Sequence, residues 1–118
     1  MGRIERVDSE IKKQLSSVLA DGVKDPRVSG MISVMSVRTD TELDQAKVYV
    51  SVYGADPQEV VAGLNSAAGY IRARIAERIK LRAMPSLKFY YDDSVDYSIK
   101  IDKIIREINS GEERGQDR

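Results

Sequence analysis

From Val60 to Ile79 one apolar pattern keeps helical spacing through Val60, Val61, Leu64, Ala68, Ile71, Ile75 and Ile79, and on either side of it the apolar period changes to two. Before it, "AKVYVSVYG" sets Ala46, Val48, Val50 and Val52 on one face and Lys47, Tyr49, Ser51 and Tyr53 on the other. After it, "SLKFYYD" sets Leu87, Phe89 and Tyr91 on one face. A long helix between two half-buried strands must bury its stripe, and in 118 residues there is one domain in which to do so. The pattern therefore calls for helices layered on a sheet.

The remaining elements follow from the same periodicities. Ile4, Val7, Ile11, Leu15, Val18 and Leu19 recur at three and four, which predicts an amphipathic first helix ended by Gly22. "KDPRVSG" reads as a loop, because Pro26 disfavours helical geometry at Asp25 and Gly30 adds a second breaker. "MISVMSVRT" is rich in β-branched residues and pairs across "DTELDQ" with "AKVYVSVYG" as a hairpin. Ile32, Val34 and Val37 do not share a parity, so this strand holds a bulge or is buried on both faces. "GADPQEVV" opens the long helix, with Asp56 to cap free amides, Pro57 at the first helical position and Glu59 at the capping-box position. The helix is expected to run to about Arg82, with Pro85 closing the segment. Ile101, Ile104, Ile105 and Ile108 predict a short closing helix from about Ser98 to Ile108. The result is an α+β fold: helix, strand, strand, kinked helix, strand, short helix, with helices packed on one face of a three-stranded sheet whose strand order the pattern leaves open. Residues 1–109 form the domain, and the polar "SGEERGQDR" predicts a disordered tail over residues 110–118.

Several functions are disfavoured by what the chain lacks. It has neither histidine nor cysteine, which removes the commonest general base, the commonest metal ligand, disulfides and thiolate sites. No apolar run nears the roughly 20 residues of a membrane span, and "MGRIERVDSEIKKQ" lacks the apolar core of a secretory signal. The expectation is a cytoplasmic protein, not an enzyme, with no cofactor and no metal. Asp92, Asp93 and Asp96 invite a metal or acid–base reading, yet no other ligand lies near them in sequence, and capping of the last helix accounts for them better.

The formal net charge of zero conceals a segregation. Residues 70–91 hold six basic side chains (Arg72, Arg74, Arg78, Lys80, Arg82, Lys88) against Glu77, while residues 31–69 and 92–118 are each net −3. Such a patch attracts polyanions whatever the total. At about 100° per residue, Arg74, Arg78 and Arg82 fall on one flank of the Ile71, Ile75, Ile79 stripe, Arg72 on the other, and Lys80 toward solvent. This is a solvated helix or a cationic rim for phosphate, and the abundance of Arg over Lys favours phosphate. Gly69 interrupts the helical pattern at a cost of about 1 kcal/mol relative to Ala. It permits close helix packing, or it marks a break that leaves the amides of a second helix free to face an anion.

Four stretches carry a resemblance: Asp25-Pro26-Arg27 after the first helix, "AKVYV" at Ala46 to Val50, Ala67-Ala68-Gly69 at the kink, and "LRAMPSLKFYYDDS" from Leu81 to Ser94. In this order and spacing the chain resembles a type II KH-like domain with Ala-x-Gly in place of the Gly-x-x-Gly loop, and within that group the ribosome-binding factor A family. The resemblance implies a noncatalytic, monomeric assembly factor of ribosome biogenesis. It would bind immature 30S subunits and 16S rRNA, act in late maturation and 5′-end processing, and matter in cold adaptation. Other assembly factors, including a GTPase, are implied as partners, and a membrane is not. Carried onto this sequence, the kink is Ala67, Ala68 and Gly69, and the RNA-binding helix holds Arg72, Arg74, Arg78, Lys80 and Arg82. Without Gly-x-x-Gly, recognition through phosphates and shape is expected rather than the clamping of four nucleotides. Arg27, Lys47 and Tyr90 are secondary RNA candidates, while Phe89 and Tyr91 are expected to pack. The competing reading is a small α+β interaction module whose basic helix meets an acidic protein.

Overall fold

The stripe on the first helix sets the core. In the computed structural model, which describes residues 2–79 and 84–116, helix α1 spans Arg3–Asp21 and buries Val7, Ile11, Leu15 and Val18. Gly22 ends it at a φ of 97°, a conformation that favours glycine. Strands β1 (Met31–Thr39) and β2 (Gln45–Tyr53) pair antiparallel, from Met31 opposite Tyr53 to Thr39 opposite Ala46. The register shifts between Val34 and Ser36, so Met35 is a bulge. That extra residue resolves the broken parity, because it lets Val37 and Thr39 turn to the core behind Ile32 and Val34. Thr39, a buried polar residue, is satisfied from α1: its amide donates to Asp8 Oδ1 at 2.9 Å.

The crossover that follows is two helices, α2 (Pro57–Ser66) and α3 (Ala68–Arg78). It returns the chain to β3 (Ser86–Tyr91), which lies parallel to β2 with Val48 opposite Phe89. The sheet order is β1-β2-β3, which places the hairpin's second strand at the centre. Ala46, Val48, Val50, Leu87 and Phe89 face Ile11, Leu15, Val60, Leu64, Ile71 and Ile75, and these residues form one core. The α+β architecture with α1, α2 and α3 on one face agrees with the sequence reading.

Two boundaries differ from it. Helix α3 stops at Arg78, short of the end expected near Arg82, and Ile79 is already extended (φ −123°, ψ 142°). The last helix, α4, spans Ser94–Gln116, starting earlier than Ser98 and ending later than Ile108. Residues 110–116, expected as part of a disordered tail, continue its backbone. Asp92 Oδ1 accepts from the Ser94 amide at 2.9 Å, the capping expected of this aspartate cluster. Bonds from Ser94 also hold the Asp92 carboxyl below its ordinary range. The isoleucines of α4 do not close the core; Ile104, Ile105 and Ile108 are exposed.

Candidate nucleic-acid interface

The kink is built from the α2 side. Asp56 caps α2 by accepting from the Gln58 amide at 2.9 Å, with Pro57 in the first turn as expected. Gly63, midway along α2, lies under the loop that precedes β1: a Cβ there would stand 2.8 Å from Val28 Cγ2 and 3.1 Å from Arg27 Cβ. Close packing therefore belongs to Gly63, a glycine the periodicity does not distinguish. Two residues later Asn65 fastens the helix to β3. Its Nδ2 donates to the Phe89 carbonyl at 3.0 Å, and its Oδ1 accepts from the Phe89 amide at 2.8 Å. The side chain thus satisfies a strand edge as a fourth strand would.

The break falls at Ala67, whose φ of −92° and ψ of 3° lie outside the helical well. Ala67 has no side-chain group to cap α3, and no side chain caps the first amides of that helix. Gly69 is the second residue of α3, and a Cβ built on it meets nothing within 4 Å. Its φ is not positive. Neither packing nor backbone geometry inside the molecule asks for glycine at this position. Beside the break is a surface cleft of about 290 Å³ lined by Val23, Lys24, Asp25, Ser66, Ala67 and Tyr70. Lys24, Ser66 and Tyr70 join the site only through folding, and no motif in the sequence singles them out.

Arg27 joins two residues of the cleft's lining, Asp25 and Ser66. Its Nε donates to Asp25 Oδ1 at 3.0 Å, and its Nη2 donates to Asp25 Oδ2 at 2.8 Å and to Ser66 Oγ at 2.9 Å. Its backbone amide also donates to Asp25 Oδ1, at 2.9 Å. These bonds from Arg27 hold the Asp25 carboxyl at about 2, well below the usual carboxylate range. The turn chemistry expected of Asp25-Pro26-Arg27 is present, and the guanidinium ties the loop to the end of α2.

The expected cationic helix divides into different roles. Arg72 spans to the lead of β3, with Nε 3.1 Å from the carbonyls of Met84 and Pro85. Arg78 reaches α1, donating to Ser17 Oγ at 2.8 Å and to Asp21 Oδ2 at 3.1 Å. The flank read as a free rim lies against α1 at that end, because α1 and α3 pack side by side. Arg74 is the least committed: its side chain is 41% exposed and its pairing with Glu77 is a long 3.9 Å. Lys80 and Arg82 lie outside the described residues. Lys47 and Tyr90 are brought together with each other, on the sheet face away from the helices and not with the kink. Phe89 is buried as expected, and the half-buried Tyr91 donates its hydroxyl to Asp96. That bond, reinforced by burial, pushes the Tyr91 phenol up to about 12.

A sheet with parallel β2 and β3, a crossover helix broken at small residues, and arginines following the break define a type II KH-like domain. The chain belongs to the ribosome-binding factor A family, whose profile matches residues 3–105. Ribosome-binding factor A of Brevibacillus brevis is 46% identical over 95% of this chain and 93% of the relative. That of Caldanaerobacter subterraneus subsp. tengcongensis is 42% identical over 93% and 92%. Among solved structures, a Thermotoga maritima protein described as a putative ribosome binding factor A superposes with a TM-score of 0.65 at 32% identity, covering 76% of this chain and 87% of that one. The crystal structure of ribosome-binding factor A from Thermus thermophilus shares the fold, with a TM-score of 0.67 at 23% identity over 77% and 97%. A homology model of the Thermus thermophilus protein, fitted into a cryo-EM map of its 30S complex, has a TM-score of 0.62 at 23% identity over 73% and 91%.

Proposed function

We propose that this protein is a noncatalytic assembly factor that binds the immature 30S subunit through 16S rRNA, using the break between α2 and α3. The observation that carries the reading is Gly69. It sits in a helix at a cost, with open space where a side chain would be, beside uncapped amides and ahead of a cationic helix. A surface so cleared lets an RNA backbone approach the helix start, where amides and arginines meet phosphate oxygens. Family membership supports the ribosomal partner, as does the 30S complex described for the Thermus thermophilus protein. On this reading the protein acts in the cytoplasm as a monomer during late maturation and 5′-end processing, with greatest effect in the cold, alongside other assembly factors including a GTPase.

Co-sedimentation with small subunits tests it. The protein should travel with 30S particles from cells stalled in assembly and be released when the RNA is digested. Retention on ribonuclease-treated particles would favour an acidic protein partner instead.

A further inference from the structure

The sheet face turned away from the helices holds a second arrangement. Register places Arg38 of β1 opposite Lys47 of β2, and Lys47 opposite Lys88 of β3, so each strand contributes one exposed cation to a row across the sheet. The adjacent row is Ser36, Tyr49 and Tyr90. The two tyrosine rings stack with centroids 5.4 Å apart and planes 24° from parallel, and Lys88 Nζ stands 5.5 Å from the Tyr90 centroid. Like charges directly opposed across a sheet destabilise it. The ion pairs among the described residues join Asp25 to Arg27, Arg74 to Glu77 and Asp21 to Arg78, and none of them neutralises this row. Asp92 and Asp93 lie past the tyrosines, lining a shallow depression with Ser36, Arg38, Tyr49 and Tyr91.

We propose that this face is a second RNA surface that takes a single-stranded segment, its phosphates on the Arg38, Lys47, Lys88 row and a base on the Tyr49–Tyr90 pair. Each part of the arrangement matches one part of a nucleotide. Three cations at the interstrand spacing neutralise a polyanion, and aromatic faces accept any base. An acidic peptide would gain from the cations as RNA does, but it has no use for the rings. The proposal extends the RNA-binding reading to a surface separate from the kink and does not depend on Gly69.

The test uses the full chain, fluorescein-labelled ten-nucleotide oligouridylate and, as competitor, a polyglutamate peptide. With about three phosphates engaged, log affinity should fall against log salt with a slope near −2, at roughly 0.7 per single-strand phosphate. Lys47→Gln with Lys88→Gln should flatten that slope by about 1.4. Tyr90→Phe should bind as wild type, and Tyr90→Ser should lose about fivefold or more. Lys47→Glu, placed between Arg38 and Lys88, should melt no lower than wild type while binding worst, an outcome that a structural role for Lys47 does not produce. Unchanged oligouridylate binding in the Lys47, Lys88 and Tyr90 variants would overturn the proposal, as would displacement by polyglutamate at lower concentration than by unlabelled oligouridylate. An Arg74→Glu variant measured on 30S particles reads the kink separately. If it binds as wild type while the sheet variants lose oligouridylate, the kink reading fails and the second surface stands; the reverse pattern removes the second surface alone.

Discussion

Asp25 and Arg27 show how much local chemistry a short loop can hold. The Asp25 carboxyl is held at about 2 in the folded chain by bonds from Arg27, below the roughly 3.9 of an unfolded aspartate. A depressed carboxylate stabilises fully above its unfolded pKa and loses that contribution as pH falls through the folded one. Its share of stability should therefore be whole above about pH 4 and vanish toward pH 2. A carboxyl NMR titration should place the Asp25 midpoint near 2, and Asp25→Asn should melt with less dependence on pH between 4 and 2 than wild type. A midpoint near 3.9 would mean the Arg27 clamp is open in solution. Two glycines give a second residue-scale prediction. Gly63→Ala should destabilise by about 1–3 kcal/mol, because its Cβ collides with Val28 and Arg27. Gly69→Ala should leave the fold intact or stabilise it by up to about 1 kcal/mol, since the space above it is open. Urea unfolding of both variants checks this. The sequence marks both as glycines in a helical pattern; only the passage of residues 25–28 across α2 tells them apart. For the same reason a leucine at Gly69 should obstruct a ligand and leave the fold undisturbed.

At the scale of elements, each helix and strand of the core was legible because the apolar period declares it. The Met35 bulge was legible as one of two explanations for broken parity. What periodicity does not contain is which element lies beside which. The phase of α3 puts Arg74 and Arg78 on one flank, but the nearness of α1 to that flank, which engages Arg78 with Ser17 and Asp21, follows from packing. Likewise Arg38 goes unremarked in the sequence and Lys88 counts there only toward the charge of residues 70–91, because the row they form with Lys47 exists only once the strand order is known. The Asn65 bridge to Phe89 is also a product of assembly. Asn65→Leu should cost about 1–3 kcal/mol by leaving the buried Phe89 backbone groups unpaired, read as a lower urea midpoint. On α3 the arginines should separate by role. Arg72→Ala should destabilise by releasing the Met84 and Pro85 carbonyls, while Arg74→Glu should shift stability by under about 0.5 kcal/mol and act on binding.

Across the whole molecule, a net charge of zero is compatible with RNA binding because the charge is segregated: cations follow the kink, and acids gather in residues 31–69 and 92–118. The cellular expectation is that loss of the protein leaves precursor 16S ends and surplus free small subunits, most visibly at low temperature; normal profiles in a cold-grown deletion strain would oppose it. The central claim, that RNA is held at the break between α2 and α3, is tested most directly by the salt dependence of 30S binding in wild type and in a Gly69→Leu, Arg74→Glu variant of matched stability. With three to five phosphates engaged, the wild-type slope of log affinity against log salt should lie near −2 to −3.5, at roughly 0.7 per phosphate. The variant should bind at least tenfold more weakly at about 0.1 M salt, with a shallower slope. A wild-type slope near zero, or a variant that binds as wild type does, would contradict the account.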